Sequence, residues 1–386
     1  MDKLKSWLSR SSAIAQMGVG LGAEVVDVVE RMHGSISNKP SPFAKEADEN
    51  TRGITNLVYK AVKGGFGAGH LGLRKLAEAL ADADDNDPTW LQVRAAINGV
   101  CGDALEQRGN PLAQPMILVD GVSADDPDTL LLFIHGLCMH QPGWFEGAHL
   151  ESAKDLSQAL NAKAQYLSYN TGRHISENGE CLAQLLEKEA AGYKRIVVVG
   201  HSMGGLLTRS ACSYAAEQDM EWLNKLSHVA TLGTPHHGAP AERLGNWANG
   251  LLMLSPYTKP LSRLGNIRSA GIRDLRFGNL RHEDWLGIDD PDHFDDRRHP
   301  VSLTPHVQYL LLAGTRSETI PPNPQEAKHD LLVTVSSAWG ENSDQPELAL
   351  TGDNIDRVLL ADTDHMQMLW SADVYAKLKA WLLEKH

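Results

Sequence analysis

Apolar residues recur at helical spacing through the first hundred positions, then give way to short apolar runs. Val25, Val28, Val29 and Met32 stand at i, i+3, i+4 and i+7; Ile54, Leu57, Val58, Ala61 and Val62 repeat the pattern, and Leu73, Leu76 and Leu80 extend it. Asn38–Pro42 separates the first two segments, and Asp85-Asn86-Asp87-Pro88 precedes a further predicted helix running to about Leu105. From about Pro115 the period changes. Met116–Asp120 and Leu130–Ile134 read as neighbouring strands joined by an acidic turn, and Ala164–Leu167 as a third. A helix carrying Leu182, Leu185 and Leu186 follows, and then Ile196-Val197-Val198-Val199, a β-branched run that fits a strand buried on both faces of a parallel sheet. His228–Leu232, Val307–Leu312 and Val358–Ala361 are further predicted strands, and Val374, Leu378, Trp381 and Leu382 mark a last helix. Strands alternating with helices predict an α/β fold with mostly parallel pairing. The change of period divides the chain into a helical N-terminal region, 1–112, and an α/β region, 113–386.

Two glycine clusters, Gly18–Gly22 and Gly64–Gly72, lie in the helical region. The first only loosely follows a dinucleotide-binding pattern, and no strand precedes it, so close helix packing or flexibility is the better reading.

Composition narrows the function classes. The chain has 386 residues, 42% hydrophobic and 22% charged, with a formal net charge of −13. An acidic chain lacks the basic face that phosphate backbones require, so nucleic acid is not an expected partner. Cys101, Cys138, Cys181 and Cys212 are far apart and make no CxxC or Cys/His metal pattern, which suits free thiols in a reducing compartment. Neither a secretory leader nor a membrane-spanning run is found, so a cytoplasmic location is expected. Leu4, Trp7 and Leu8 beside Lys3, Lys5 and Arg10 leave two readings of the N-terminal helices: peripheral contact with a membrane surface, or docking on the domain.

The strongest chemical signal is Val199-Gly200-His201-Ser202-Met203-Gly204-Gly205, a G-x-S-x-G set between a buried strand and a helix starting near Met203. Such a turn holds its serine in strained backbone and lifts the hydroxyl above the sheet; glycines at 200 and 204 let adjacent segments approach. This makes Ser202 the candidate nucleophile. An oxyanion needs two N–H donors, and Met203 offers one; Phe133–Cys138, with Gly136 as the flexible point, offers the other through Leu137. With acid and base following the serine in chain order, His135, His140 and His201 drop out as bases. His365, just beyond the last predicted strand, is the candidate base, and Asp330 the candidate acid, with Glu326, Asp362 and Asp364 as rivals.

These stretches resemble the bacterial lipase/esterase branch of the α/β-hydrolase superfamily. The likeness is carried by Ile134–Leu137, Gly200–Gly205, Leu232-Gly233-Thr234-Pro235-His236-His237-Gly238 and Asp330–Ala338, and it covers about Pro115 to the C-terminus. It implies an α/β-hydrolase fold and cleavage of small-molecule or lipid carboxylic esters through an acyl-enzyme on Ser202. Its alternative is an acyltransferase or thioesterase with the same triad, and a non-catalytic interaction protein on the same scaffold is the reading from another class. Oligomeric state is not legible. Secreted relatives commonly place a calcium site by the catalytic histidine. Here Met366-Gln367-Met368 follow His365 without a nearby carboxylate, so neither a metal nor a cofactor is expected. Between about 239 and 305 the resemblance implies a cap over the site, with Leu244, Trp247, Leu251 and Leu252 on one helical face. Trp247 and Leu251 of this cap, with Trp144 and Phe145 after the oxyanion stretch, are candidates for the substrate pocket.

Overall fold

The structure, a computed structural model, describes residues 88–144, 147–238, 269–287 and 296–384. The helices expected before residue 88, both glycine clusters, the basic–apolar N-terminal segment, Phe145, and the cap residues Trp247 and Leu251 lie outside the described residues.

The described chain opens with helix α1 (Pro88–Gln107), followed by strands β1 (Ile117–Ser123) and β2 (Thr129–Ile134). Helix α2 (His149–Ala159), strand β3 (Ala162–Ser168), helix α3 (Ile175–Glu189), strand β4 (Arg195–His201) and helix α4 (Met203–Glu217) come next. Short helix α5 (Glu221–Lys225) leads into β5 (Leu226–Leu232), and short helix α6 (Ala270–Asp274) precedes β6 (Gln308–Gly314). The short α7 (Val335–Ala338), β7 (Ile355–Leu360) and α8 (Ala372–Glu384) complete it. Seven strands form one sheet in the order β1-β3-β2-β4-β5-β6-β7. β1 runs antiparallel to β3, and every other pair is parallel.

One expectation fails. β1 and β2 follow each other in the chain but are not neighbours, because β3 lies between them. Burial gives the reason. All six residues of β2 are buried, which suits an interior position, whereas β1 includes Asp120 and Gly121 and has no buried residue, which suits an edge.

Alternation along the central strands feeds two cores. Leu130, Leu132 and Ile134 of β2, with Ile196 and Val198 of β4, face the side covered by α1, α3 and α4. Leu131, Phe133, Val197 and Val199 face α2 and α8. The last helix closes that second core with Val374, Tyr375, Leu378, Trp381 and Leu382, all buried; each such side chain contributes about 1.5–3 kcal/mol of burial. Helix α1 shares the first core through Ala96, Ile97, Val100, Cys101 and Leu105. The chain from Ser269 onward is equally tied in. Ser269 caps α6 by accepting from the Ile272 N–H. Buried Asp274 accepts from the Ile175 N–H at 2.7 Å and from Asn279 at 3.2 Å, joining α6 to the start of α3. No described helix is long and apolar enough to cross a membrane.

Candidate active site

The carboxyl ends of β2, β4 and β5 converge. Ile134 registers with Gly200, and His201 with Leu232, so the stretch after β2 lies beside the end of β4. Ser202 follows at once with φ 54° and ψ −122°, outside the regions open to most L-residues. Cost at such a position is of order 1–3 kcal/mol, held by surrounding contacts. The contacts are here. The Ser202 N–H donates to Leu232 O at 2.9 Å, and the Thr234 hydroxyl donates to Ser202 O at 2.9 Å. The turn also needs its glycines. A Cβ at Gly204 would lie 2.2 Å from Ile134 O, and one at Gly200 would lie 2.7 Å from Gly205 N.

His365 stands five residues after β7, and its Nδ1 is 2.7 Å from Asp330 Oδ2. Both side chains are 1% exposed. Main chain binds them as well: the His365 N–H donates to Asp330 O at 2.9 Å. The other carboxylate oxygen, Oδ1, accepts from the amides of Leu332 at 3.0 Å and Val333 at 2.7 Å. Leu331, between them, takes φ 90°, and this left-handed step turns both following amides back onto Asp330. Among the described residues, none of the three rivals is hydrogen-bonded to the His365 ring. Asp364 Oδ1 accepts from the Met366 and Gln367 amides, capping the turn after His365. Asp362 takes φ 42° with its amide on Ser317 O, and Glu326 ends a 3₁₀ turn shortly before Asp330.

Two links join Ser202 to this pair. The first is the Leu232–Gly233 step: Leu232 O holds the Ser202 amide, while a Cβ on Gly233 would meet Asp330 Oδ2 at 3.0 Å and His365 Nδ1 at 3.1 Å. The second is His201. Burial holds its pKa well below the usual imidazole range, so it is neutral, and its Nε2–H donates to His365 O at 2.9 Å. Its ring lies 4.8 Å from that of His365. Sequence reasoning removed His201 as a base and missed this role, as it missed Thr234 and the backbone of Leu331. A histidine at the end of a buried strand was the available signal.

Ser202 Oγ, His365 Nε2, His201 Nδ1 and His135 Nε2 are all buried without a hydrogen-bond partner among the described residues. Buried polar atoms without a protein partner are uncommon in native interiors, which makes these four candidate contacts for a bound molecule. The Leu137 and Met203 amides likewise donate to no other group among the described residues. Gly136 brings the stretch after β2 against the serine, since a Cβ there would lie 2.9 Å from Ser202 Cβ. His135 is fixed from behind: Tyr169 Oη donates to its carbonyl at 2.7 Å, and the two rings stack at 4.6 Å. Burial pushes the His135 pKa down to about 3. Cys138 is a poor competitor for the nucleophile's role, because burial pushes its thiol up to about 12. Trp144 is 1% exposed and packs on Phe133 at 5.3 Å, with its edge toward His201 at 6.3 Å. It is a wall of the second core beside the site rather than an open surface.

A single mostly parallel sheet, helices on both faces, and a positive-φ serine between its fourth strand and the next helix together define the architecture. This is the architecture of the α/β-hydrolase fold. Residues 128–290 match the family model of the PGAP1-like alpha/beta domain. No curated protein matches the chain. Among solved structures, the mature lipase BlEst2 of Bacillus licheniformis is 19% identical, with a TM-score of 0.44 over 70% of this chain and 98% of that one. Esterase RhEst1 from Rhodococcus sp. ECU1013 is 12% identical, TM-score 0.41, over 71% and 96%. Alpha/beta hydrolase domain-containing protein 10 from mouse is 13% identical, TM-score 0.41, over 70% and 95%. These are distant likenesses, and no residue role is carried over from them.

Proposed function

We propose that this α/β-hydrolase cleaves carboxylic esters of small molecules or lipids through an acyl-enzyme on Ser202. One observation carries the reading: a buried serine hydroxyl and a buried imidazole nitrogen, both unpartnered, with the far side of that imidazole held by a carboxylate at 2.7 Å. In this mechanism His365 Nε2 takes the proton as Ser202 Oγ attacks the ester carbonyl, and then gives it to the leaving alcohol. Asp330 fixes the tautomer with Nδ1–H toward itself and stabilises the imidazolium, without taking the proton. The Met203 and Leu137 amides receive the negative charge that develops on the carbonyl oxygen. Each such donor supplies about 2.7–4 kcal/mol of transition-state stabilisation. Water, activated by the same imidazole, then releases the acid. Hydrogen bonds between nucleophile and base are often long without substrate and tighten when it binds.

The test is labelling by a fluorophosphonate together with turnover of p-nitrophenyl esters of increasing acyl length, for wild type and Ser202→Ala. The expected result is stoichiometric labelling of Ser202, with kcat lower in the variant by on the order of 10⁶-fold. Equal labelling of the alanine variant sinks the reading. Product partitioning with added alcohols or thiols then separates hydrolysis from acyl transfer.

A further inference from the structure

Helix α1 contributes more than apolar surface, because it touches the stretch proposed to hold the oxyanion. Cys138, directly after Leu137, takes φ 59°, a left-handed conformation uncommon for a residue with a side chain. Its N–H donates to the Thr171 hydroxyl at 3.2 Å. Its other side rests on Gly99. A Cβ built at Gly99 would lie 2.2 Å from Cys138 Sγ, 3.0 Å from its Cα and 3.1 Å from its N. The Cys138 thiol thus fills the space a side chain at 99 would take, and the loop backbone lies close behind it. Gly99 is itself anchored, since Ser269 Oγ donates to its carbonyl at 2.6 Å. The seat continues beside it: a Cβ at Gly172 would lie 2.1 Å from Asn98 O, and Asn170 Nδ2 donates to Gly102 O at 2.9 Å.

We propose that Gly99 is a positioning residue for the oxyanion hole, acting through Cys138 to fix the direction of the Leu137 N–H. This inference rests on the ester-hydrolase reading above. The peptide joining Leu137 to Cys138 is clamped between the Thr171 hydroxyl and the Gly99 backbone. A side chain at 99 forces Cys138 outward and rotates the adjoining amide. Oxyanion donors act at 2.7–3.1 Å from the developing charge, so a displacement of a few tenths of an ångström is felt in the transition state more than in ground-state binding.

The experiment compares wild type, Ser202→Ala, Gly99→Ala, Cys138→Ala and the Gly99→Ala/Cys138→Ala pair on one p-nitrophenyl ester. Gly99→Ala is expected to lower kcat at least ten-fold with KM within two-fold. The double variant moves a small group from one side of the contact to the other, so it is expected to regain most of the lost kcat. If Gly99→Ala does not fold, the double variant still decides the matter: it should be soluble, with kcat within about five-fold of Cys138→Ala. A folded Gly99→Ala with wild-type kcat overturns the inference and leaves the hydrolase reading standing. So does a double variant no better than the single one. Full activity in Ser202→Ala removes the hydrolase reading, and this inference with it.

Discussion

Asp330 and His365 hold each other twice, once between side chains at 2.7 Å and once from the His365 amide to the Asp330 carbonyl at 2.9 Å. The main-chain bond fixes where the imidazole sits, and the side-chain bond fixes which nitrogen carries the proton. The two can be separated. Asp330→Asn keeps the shape but can present an N–H to Nδ1, favouring the wrong tautomer. We expect kcat to fall roughly 10³–10⁴-fold with little change in KM, by analogy with serine hydrolases whose acid is neutralised in place. A variant within ten-fold of wild type would mean that Asp330 is not the acid.

Leu331 at φ 90° aims the Leu332 and Val333 amides at the carboxylate, although its own side chain is 53% exposed. Its conformation matters, and its side chain does not pack. Leu331→Gly relaxes the strain and should leave kcat within about two-fold. Leu331→Ile puts a β-branched side chain where it clashes with its own backbone, and should lower both Tm and kcat. Equal behaviour of the two variants would argue against a backbone role.

Most of the sheet could be read from the sequence because its central strands are apolar on both faces. Ile196–Val199 reads as a strand buried on both faces. The G-x-S-x-G turn was legible for a related reason, since its glycines at 200 and 204 sit where backbones come close. What escaped was non-local. Nothing in Met116–Asp120 says that β3 will come between it and β2, because strand order depends on which strands tolerate an edge. The contacts of His201 with the His365 carbonyl, and of Gly99 with Cys138, join residues far apart in the chain, and no local pattern encodes them. The Asp330–Ala338 segment stood out in the sequence, but the left-handed turn at Leu331 did not, because leucine rarely adopts it.

His201 ties the end of β4 to the loop that carries His365, through an Nε2–H donor 2.9 Å from the His365 carbonyl. Replacing it by phenylalanine fills the volume and removes the donor, leaving a buried carbonyl unpaired at a cost of about 1–3 kcal/mol. The His365 loop should loosen, with kcat down at least ten-fold and a lower Tm. Glutamine can place an amide N–H near the same point, so His201→Gln should recover a measurable part of the loss. Steady-state kinetics on both variants, with Tm alongside, checks this. Phenylalanine performing as well as glutamine would show that ring volume, not the hydrogen bond, is what the site needs.

Acid should weaken the fold through histidines that are buried neutral. Burial pushes His135 down to about 3, and His140 and His149 down to about 4. In the unfolded chain each titrates near 6.5. As pH falls below about 6.5, the unfolded state takes up protons that the folded state refuses, so stability declines with falling pH. The contribution is complete above that point and is lost progressively down to about pH 4, where the folded state begins to protonate too. Within the window each group adds a slope of about 1.4 kcal/mol per pH unit. His149 is the one to remove, since it lies away from Ser202, between the hydroxyls of Tyr166 and Tyr375. Urea midpoints measured from pH 7.5 to 4.5 should fall steadily for wild type and less steeply for His149→Gln, even though the variant starts lower. A wild-type midpoint that is flat or rising toward pH 5 would mean that these imidazoles are charged in the folded protein.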